Sequence, residues 1–156
     1  MKRVIFALVL MLAACDDRQD GPLVQTAVDY DIPTGQAAVA AGLQVEDSQI
    51  KDLGISRNGS GRQNLWMRVI PVRQRQMPEF GPEFRAADVR ELVAFWEEHP
   101  DLMPELEGVC AYGQPLLLEG NGLSGKPVFR RSGRVGIWPY GCHWALAVRY
   151  PPARQS

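Results

Sequence analysis

Residues 85–99, RAADVRELVAFWEEH, contain the clearest helical pattern of the chain. Four apolar side chains are spaced at i, i+3, i+4 and i+7, so they form one stripe along a helix. They are Val89, Leu92, Val93 and Trp96. The acidic residues lie mostly away from this stripe, and Pro100 ends the pattern. The stretch predicts an amphipathic helix over about 86–99 that packs one face against a core.

Short strand patterns separated by turn signals lie on both sides of this helix. Upstream, strands are predicted over 23–32, 50–56 and 64–73, with a short Ala-rich helix over 34–43. Downstream, strands are predicted over 109–118, 127–131, 134–138 and 142–150. The last of these alternates in the way of half-buried antiparallel strands. The sequence therefore predicts an α+β fold, a mainly antiparallel β-sheet with the helix on one face.

The turn signal at 57–62, RNGSGR, separates two of the predicted strands, and a β-hairpin with a long loop is expected there. Pro71 indicates an edge strand or a strand end. Five arginines and no acid fall in this region: Arg57, Arg62, Arg68, Arg73 and Arg75. They predict a positive patch that binds anionic lipid or an acidic partner. The alternative is a solvated polar face that the acidic helix balances.

The first fifteen residues have the layout of an export signal. Lys2 and Arg3 precede an apolar run over 4–14. As a helix this run spans about 16 Å, which is too short for the roughly 30 Å hydrocarbon core of a bilayer. Its length and flanks are those of a signal-peptide h-region. The run ends in Leu12-Ala13-Ala14-Cys15, which resembles the lipobox of bacterial lipoproteins.

The lipobox resemblance implies diacylglycerol transfer to the sulfur of Cys15, cleavage before this residue, and acylation of the new amine. The chain is identified as a bacterial lipoprotein precursor that is lipid-anchored in the cell envelope and faces the periplasm. Asp16 and Asp17 resemble an inner-membrane retention signal, so the inner membrane is favoured over the outer membrane. The expected division is a signal peptide over 1–14, an acidic tether over 15–22, a globular domain over 23–150 and a tail over 151–156. An ordinary secretory signal with a chance cysteine is the alternative.

Cys110 and Cys142 are the two cysteines that remain when Cys15 carries lipid. In an oxidising compartment such a pair predicts a disulfide. The bond would close a loop of about 33 residues and contribute roughly 3–4 kcal/mol in the chain-entropy description. Two buried free thiols, or a metal pair with His143, are the alternatives.

Composition and charge exclude several classes of function. The net charge is −1 over 156 residues and becomes more negative when Lys2 and Arg3 are removed, which argues against a global nucleic-acid binder. The stretch 120–126, GNGLSGK, matches the first seven positions of a P-loop. Pro127 stands where the loop needs Ser or Thr, and the following residues predict a strand in place of a helix. No nucleotide, other cofactor or metal is predicted.

The remaining residues with chemical interest are few. His99 and His143 are the two histidines, and no Gly-x-Ser-x-Gly elbow accompanies them, so no catalytic set is predicted. Trp96 and Trp144 fall on apolar faces and are expected in the core.

Trp66 and Trp138 lie beside turns, where an exposed tryptophan suits a binding patch, although core filling is expected of at least one of them. The sequence predicts a membrane-tethered, non-catalytic binding or assembly module with an envelope protein or anionic lipid as partner. An envelope hydrolase and an inhibitor or exclusion lipoprotein are the alternatives.

Overall fold

A mixed, mainly antiparallel sheet carries the fold in the computed structural model, which describes residues 18–73, 78–117, 124–139 and 142–151. Within these residues nine strands are present: β1 (Val24–Asp29), β2 (Gln44–Val45), β3 (Arg62–Pro71), β4 (Phe84–Ala86), β5 (Val109–Cys110), β6 (Leu116–Leu117), β7 (Ser124–Phe129), β8 (Arg134–Trp138) and β9 (Trp144–Arg149). The strand order is β1-β3-β9-β5-β7-β8-β2, with β4 also paired to β9 and β6 to β7. Three helices accompany the sheet: α1 (Thr34–Ala40), α2 (Ser48–Lys51) and α3 (Val89–Glu98). The predicted α+β class is confirmed.

The predicted amphipathic helix is present as α3, which begins slightly later than expected. Asp88 accepts a hydrogen bond from the backbone N–H of Glu91 at 2.9 Å, and the Glu91 side chain accepts one from the backbone N–H of Asp88 at 2.9 Å. This reciprocal capping box fixes the first turn of the helix. The residues just before it form β4, which pairs with β9.

The first core lies between the helices and one face of the sheet. The buried stripe of α3 supplies Val89, Leu92, Val93 and Phe95, and the strands supply Met67, Val69, Leu146 and Val148. α1 and α2 complete this layer through a close approach of their backbones. A Cβ on Gly35 would come within 1.8 Å of the Lys51 carbonyl oxygen, so this contact requires glycine.

A second core covers the opposite face of the sheet, which we call the outer face. Its buried members are Ile70, Val72, Phe84, Cys110, Tyr112, Cys142, Ala145 and Ala147. Because β9 has a core on each side, it is buried on both faces, whereas the sequence pattern predicted a half-buried strand. Cys110 and Cys142 lie within disulfide-bonding distance, with a Cα–Cα separation of 6.2 Å.

The expected hairpin around the 57–62 turn is not formed. Residues 50–56 do not form a strand; α2 occupies their start because Asp47 caps it by accepting a hydrogen bond from the backbone N–H of Gln49 at 2.8 Å. β3 pairs instead with β1 and β9, so it is central to the sheet. Pro71 is the last residue of β3, as one of the two predictions for it required.

Side chains from the α3 region cover the open edge of β1. Three backbone groups of that edge lie 3.0 Å from side-chain atoms: Asp29 O from Arg90 Nε, Ala27 N from Glu98 Oε1, and Gln25 O from His99 Nε2. An uncovered strand edge is a template for pairing with another chain. The helix therefore satisfies the polar groups that a further strand would otherwise bind.

Candidate binding surface

The outer face becomes accessible to solvent where the second core ends. Along β3, alternate residues point to opposite sides of the sheet. Leu65, Met67 and Val69 face the first core, so Asn64 and Trp66 face outward. The side chain of Trp66 is 47% exposed on this face.

An open groove of about 740 Å³ surrounds Trp66. Its lining comes from β3, from the segment before β4 and from the end of β9: Asn64, Leu65, Trp66, Pro82, Glu83, Arg149, Tyr150 and Pro151. Tyr150 is 50% exposed, so two half-exposed aromatic rings share one groove. We call this site the Trp66 groove.

An exposed ion pair forms one wall of the Trp66 groove. The Arg149 guanidinium lies 3.7 Å from the Glu83 carboxylate, and both side chains are largely open to water. The backbone N–H of Tyr150 donates to the Glu83 carbonyl oxygen at 2.8 Å, which holds the two segments together. An exposed pair of this kind contributes little to stability, so its partners can exchange at little cost.

Arg68 closes the outer face next to the groove. Its guanidinium lies 3.3 Å from the Asp20 carboxylate and stacks over the Phe84 ring at 4.4 Å. The backbone N–H of Gly21 donates to the Val69 carbonyl oxygen at 2.7 Å. The end of the predicted tether therefore lies along β3, and Arg68 is held in place by an ion pair and a ring contact.

A polar cluster centred on a buried carboxylate lies at the N-terminus of α3, on the helix side of the sheet. We call it the Glu91 cluster, and its members are Tyr30, Ser56, Asn58, Arg85, Asp88 and Glu91. Glu91 is fully buried, and Arg85 binds it through two hydrogen bonds of 2.6 and 2.9 Å. The Tyr30 hydroxyl donates to the same carboxylate at 2.5 Å. The Ser56 hydroxyl donates to Asp88.

The electrostatics of the Glu91 cluster favour one protonation pattern. Burial, followed by the charge of Glu91, raises the pKa of Tyr30, so the phenol keeps its proton and donates it. Burial acts to lower the pKa of Arg85, but the hydrogen bonds to Glu91 raise it overall. Burial and the Glu91 charge also raise the pKa of Asp88. The hydrogen bonds of Tyr30, Ser56 and Arg85 to Asp88 and Glu91 anchor the first turn of α3 to the neighbouring segments.

No protein-family model, curated protein or solved structure matches the chain. Among the described residues, no helix is long and apolar enough to cross a membrane.

The predicted arginine patch is spread out along the chain in the structure. Arg57 is exposed before β3 and Arg62 is exposed at its first position, whereas Arg73 is exposed beyond its other end. An extended chain from Arg62 to Arg73 covers about 35 Å. Arg68 is paired with Asp20 and stacked on Phe84, and Arg75 lies outside the described residues. The hairpin that was predicted to bring these residues together is not formed. Their binding to an anionic partner stays a prediction.

Both histidines make polar contacts, and the described part of the P-loop-like stretch lies in a strand. His99 covers the β1 edge, and His143 Nδ1 lies 3.2 Å from Arg18 and 3.9 Å from Glu107. Lys126 lies within β7, in agreement with the predicted strand, whereas 120–123 lie outside the described residues. In the described part of the chain, no group of three or more His, Cys, Asp or Glu side chains is placed to hold a metal ion.

Sequence reasoning identified only one residue of the Trp66 groove. Trp96 and Trp144 pack partly buried against the first core, as predicted. Trp66 and Trp138 are each 47% exposed, so the expected core role for one of them was wrong. The sequence signal for the exposure of Trp66 was its position on the more polar of the two alternating faces of the strand.

Proposed function

We propose that the protein is a lipid-tethered envelope lipoprotein that binds a partner protein, without catalysis, through the Trp66 groove. The observation that carries this proposal is the meeting of Trp66, Arg149 and Tyr150 in one exposed groove. Trp, Tyr and Arg are the residue types that dominate binding energy at protein interfaces. Two exposed rings beside an exchangeable ion pair fit a partner that offers an apolar side chain and a carboxylate.

The lipobox supports the tether, because two or three acyl chains make a durable anchor. Arg18 contacts His143, which lies just before β9, and only Asp16 and Asp17 separate it from Cys15. A fully extended chain spans at most about 3.6 Å per residue, so Cys15 lies within about 11 Å of Arg18. Such a short tether would hold the domain beside the bilayer, facing the periplasm, with the inner membrane favoured.

Eight residues line the groove, whereas a standard interface has about 20–30 residues on each partner. We therefore propose that the Trp66 groove takes a short segment of the partner protein. In this description Arg149 exchanges Glu83 for an acid of the partner, and the ring of Trp66 receives an apolar side chain.

The tether is tested by metabolic labelling with a radioactive fatty acid. The wild-type protein should incorporate the label, and Cys15→Ala should lose it completely because the acceptor sulfur is gone. Cys110→Ala is the matched control and should keep the label, since it leaves the lipobox intact. A wild-type protein that takes up no label would contradict the lipoprotein assignment.

The groove is tested by photo-crosslinking in cells, with a photoreactive amino acid in place of Trp66. A discrete crosslinked product is expected, because the side chain projects into the proposed interface. Arg149→Ala should reduce this product about thirtyfold, which corresponds to roughly 2 kcal/mol for an interface hot spot. Val39 is the matched control position, since it is 60% exposed on α1 at the opposite side of the sheet. Equal products from both positions, or none from position 66, would refute the assignment.

A further inference from the structure

A second exposed aromatic lies at the other end of the outer face. Lys126 is paired across from Trp138 between β7 and β8, and the backbone N–H of Arg130 donates to the Arg134 carbonyl oxygen at 3.0 Å. Val128, between these cations in the same phase of β7, packs on the second core. By strand alternation, the four flanking side chains lie on the outer face with Val128.

An apolar side chain projects beside these cations. Leu106 is 87% exposed, and Trp138 is 47% exposed. Both line a cleft of about 250 Å³, whose floor includes Val128. Arg130 donates to the Leu106 carbonyl oxygen at 3.3 Å, which holds the Leu106 loop against β7. We call Leu106, Lys126, Arg130, Arg134 and Trp138 the tether-side patch.

The described carboxylates of this region have partners. Glu46 lies 3.9 Å from Arg134, Glu105 lies 3.0 Å from Arg131, and Glu107 accepts a hydrogen bond from the Trp144 indole N–H at 2.5 Å. Among the described residues, the contact of Lys126 Nζ is with the Tyr112 ring, at 5.3 Å, and this ring carries no formal negative charge. The acids therefore reduce the positive charge of the patch without cancelling it.

The N-terminal segment meets the protein beside this patch. Arg18 contacts His143 at 3.2 Å and Glu107 at 3.9 Å, and both of these residues line the cleft that Leu106 and Trp138 share. The chain from Arg18 to Cys15 is three residue steps long, so it reaches at most about 11 Å. A lipid on Cys15 would therefore hold the tether-side patch close to the bilayer.

We propose that the tether-side patch docks on the anionic surface of the bilayer that holds the lipid anchor. This inference rests on the anchor of the proposed function and adds an orientation to it. Tryptophan is favourable at the depth of the lipid headgroups, where Trp138 would lie. Leu106 would insert at the boundary between the headgroups and the acyl chains. Lys126, Arg130 and Arg134 meet lipid phosphates on the same face.

The proposed orientation leaves the Trp66 groove accessible. β3 and β8 are separated by four strand steps, or about 19 Å at the usual strand spacing. A twist of about 20–25° per step turns the outer face by about 80–100° between them. When the tether-side patch lies on the bilayer, the groove faces sideways, toward a partner in the periplasm.

The test uses the lipidated protein, purified from membranes and reconstituted into vesicles of phosphatidylethanolamine and phosphatidylglycerol. Lipids with brominated acyl chains quench tryptophans at the membrane. Trp138→Phe should remove most of the quenching, whereas Trp66→Phe should leave it unchanged. The two positions are matched because both side chains are 47% exposed. Equal effects of the two substitutions, or quenching that Trp66 carries, would overturn the proposal.

The charge contribution is tested with Lys126→Gln combined with Arg134→Gln. Each cation near an anionic surface contributes to the free energy of docking. Removal of two should therefore lower the docking equilibrium constant about thirtyfold. Arg57→Gln combined with Arg62→Gln is the matched control and should leave docking unchanged where the tether-side patch carries it. A loss as large as that of the first pair would assign docking to the arginine patch predicted from the sequence and overturn the present proposal. High salt and vesicles of phosphatidylcholine alone should reduce docking of the wild type in the same direction. Docking that is equal in all of these conditions overturns the anionic-surface proposal.

Failure of the anchor and failure of the patch give different results. A purified protein without fatty acid overturns both the lipoprotein assignment and this inference. A lipidated protein whose Trp138 is not quenched overturns the patch alone. Crosslinking at position 66 reports separately on the Trp66 groove.

Discussion

Replacing Glu91 by alanine is expected to lower the free energy of unfolding by about 3–5 kcal/mol. The substitution leaves the Arg85 guanidinium without its carboxylate partner and removes the acceptor of the Tyr30 hydroxyl. It also deletes half of the capping box that begins α3. Urea unfolding, followed by tryptophan fluorescence and circular dichroism, measures the loss.

Glu97→Ala is the matched control on the same helix. Glu97 is exposed, so its removal should change the unfolding free energy by no more than about 0.5 kcal/mol. Glu91→Gln keeps the size and an acceptor oxygen but leaves the Arg85 charge unbalanced, so an intermediate loss is expected. Equal losses for Glu91→Ala and Glu97→Ala would show that the Glu91 cluster does not stabilise the fold.

Reduction of a Cys110–Cys142 bond is expected to lower the unfolding free energy by about 3–4 kcal/mol. The two residues are 32 positions apart, and a cross-link restricts the unfolded chain more as the closed loop lengthens. Both side chains are buried in the second core, so packing shields the bond from solvent. Comparison of oxidised and reduced wild-type protein keeps every side chain the same.

The measurement begins with alkylation of the native protein, followed by mass spectrometry with and without reductant. No alkylation at Cys110 or Cys142 should occur before reduction, and two modifications should occur after reduction and denaturation. A control with Cys110→Ala and Cys142→Ala should unfold at the same urea concentration in both redox states. Two freely alkylated thiols in denatured, unreduced protein would be incompatible with the bond.

The sequence was sufficient to predict α3 because its apolar residues, from Val89 to Trp96, repeat at the helical period over about two turns. The exact start was missed, although Asp88 and Glu91 carry the spacing of a capping box. The residues before Asp88 form β4 because a partner strand, β9, is available to them. That partner is more than sixty residues away in sequence, where no local pattern records it.

The expected 50–56 strand failed for a related reason. α2 has only four residues, too few to show a helical period, and Asp47 as its cap is the main local signal. β3 was correctly predicted as a strand, but its neighbours were not. Its pairing with β9 depends on burial of both faces in the assembled sheet, and this burial is a property of the whole fold.

The Trp66 groove shows the same division between local and distant information. Trp66 is recognisable in the sequence as an aromatic in the polar phase of a strand. Glu83 and Arg149 reach it only through pairing of β3 and β4 with β9. The chemistry of the groove therefore becomes visible only when the order of the strands is known.

The covering of the β1 edge by the α3 region links folding to self-association. A strand edge that is covered by a neighbouring strand stays covered as long as the sheet is intact. The β1 edge, by contrast, stays covered only while Arg90, Glu98 and His99 keep their positions. Fraying of the helix would release backbone donors and acceptors in the β-conformation before the sheet itself opens. With the proposed lipid anchor, molecules in one bilayer would meet at high local density, with their edges held at a similar height. Helix stability in this protein would then set the threshold for strand-to-strand polymerisation along the membrane.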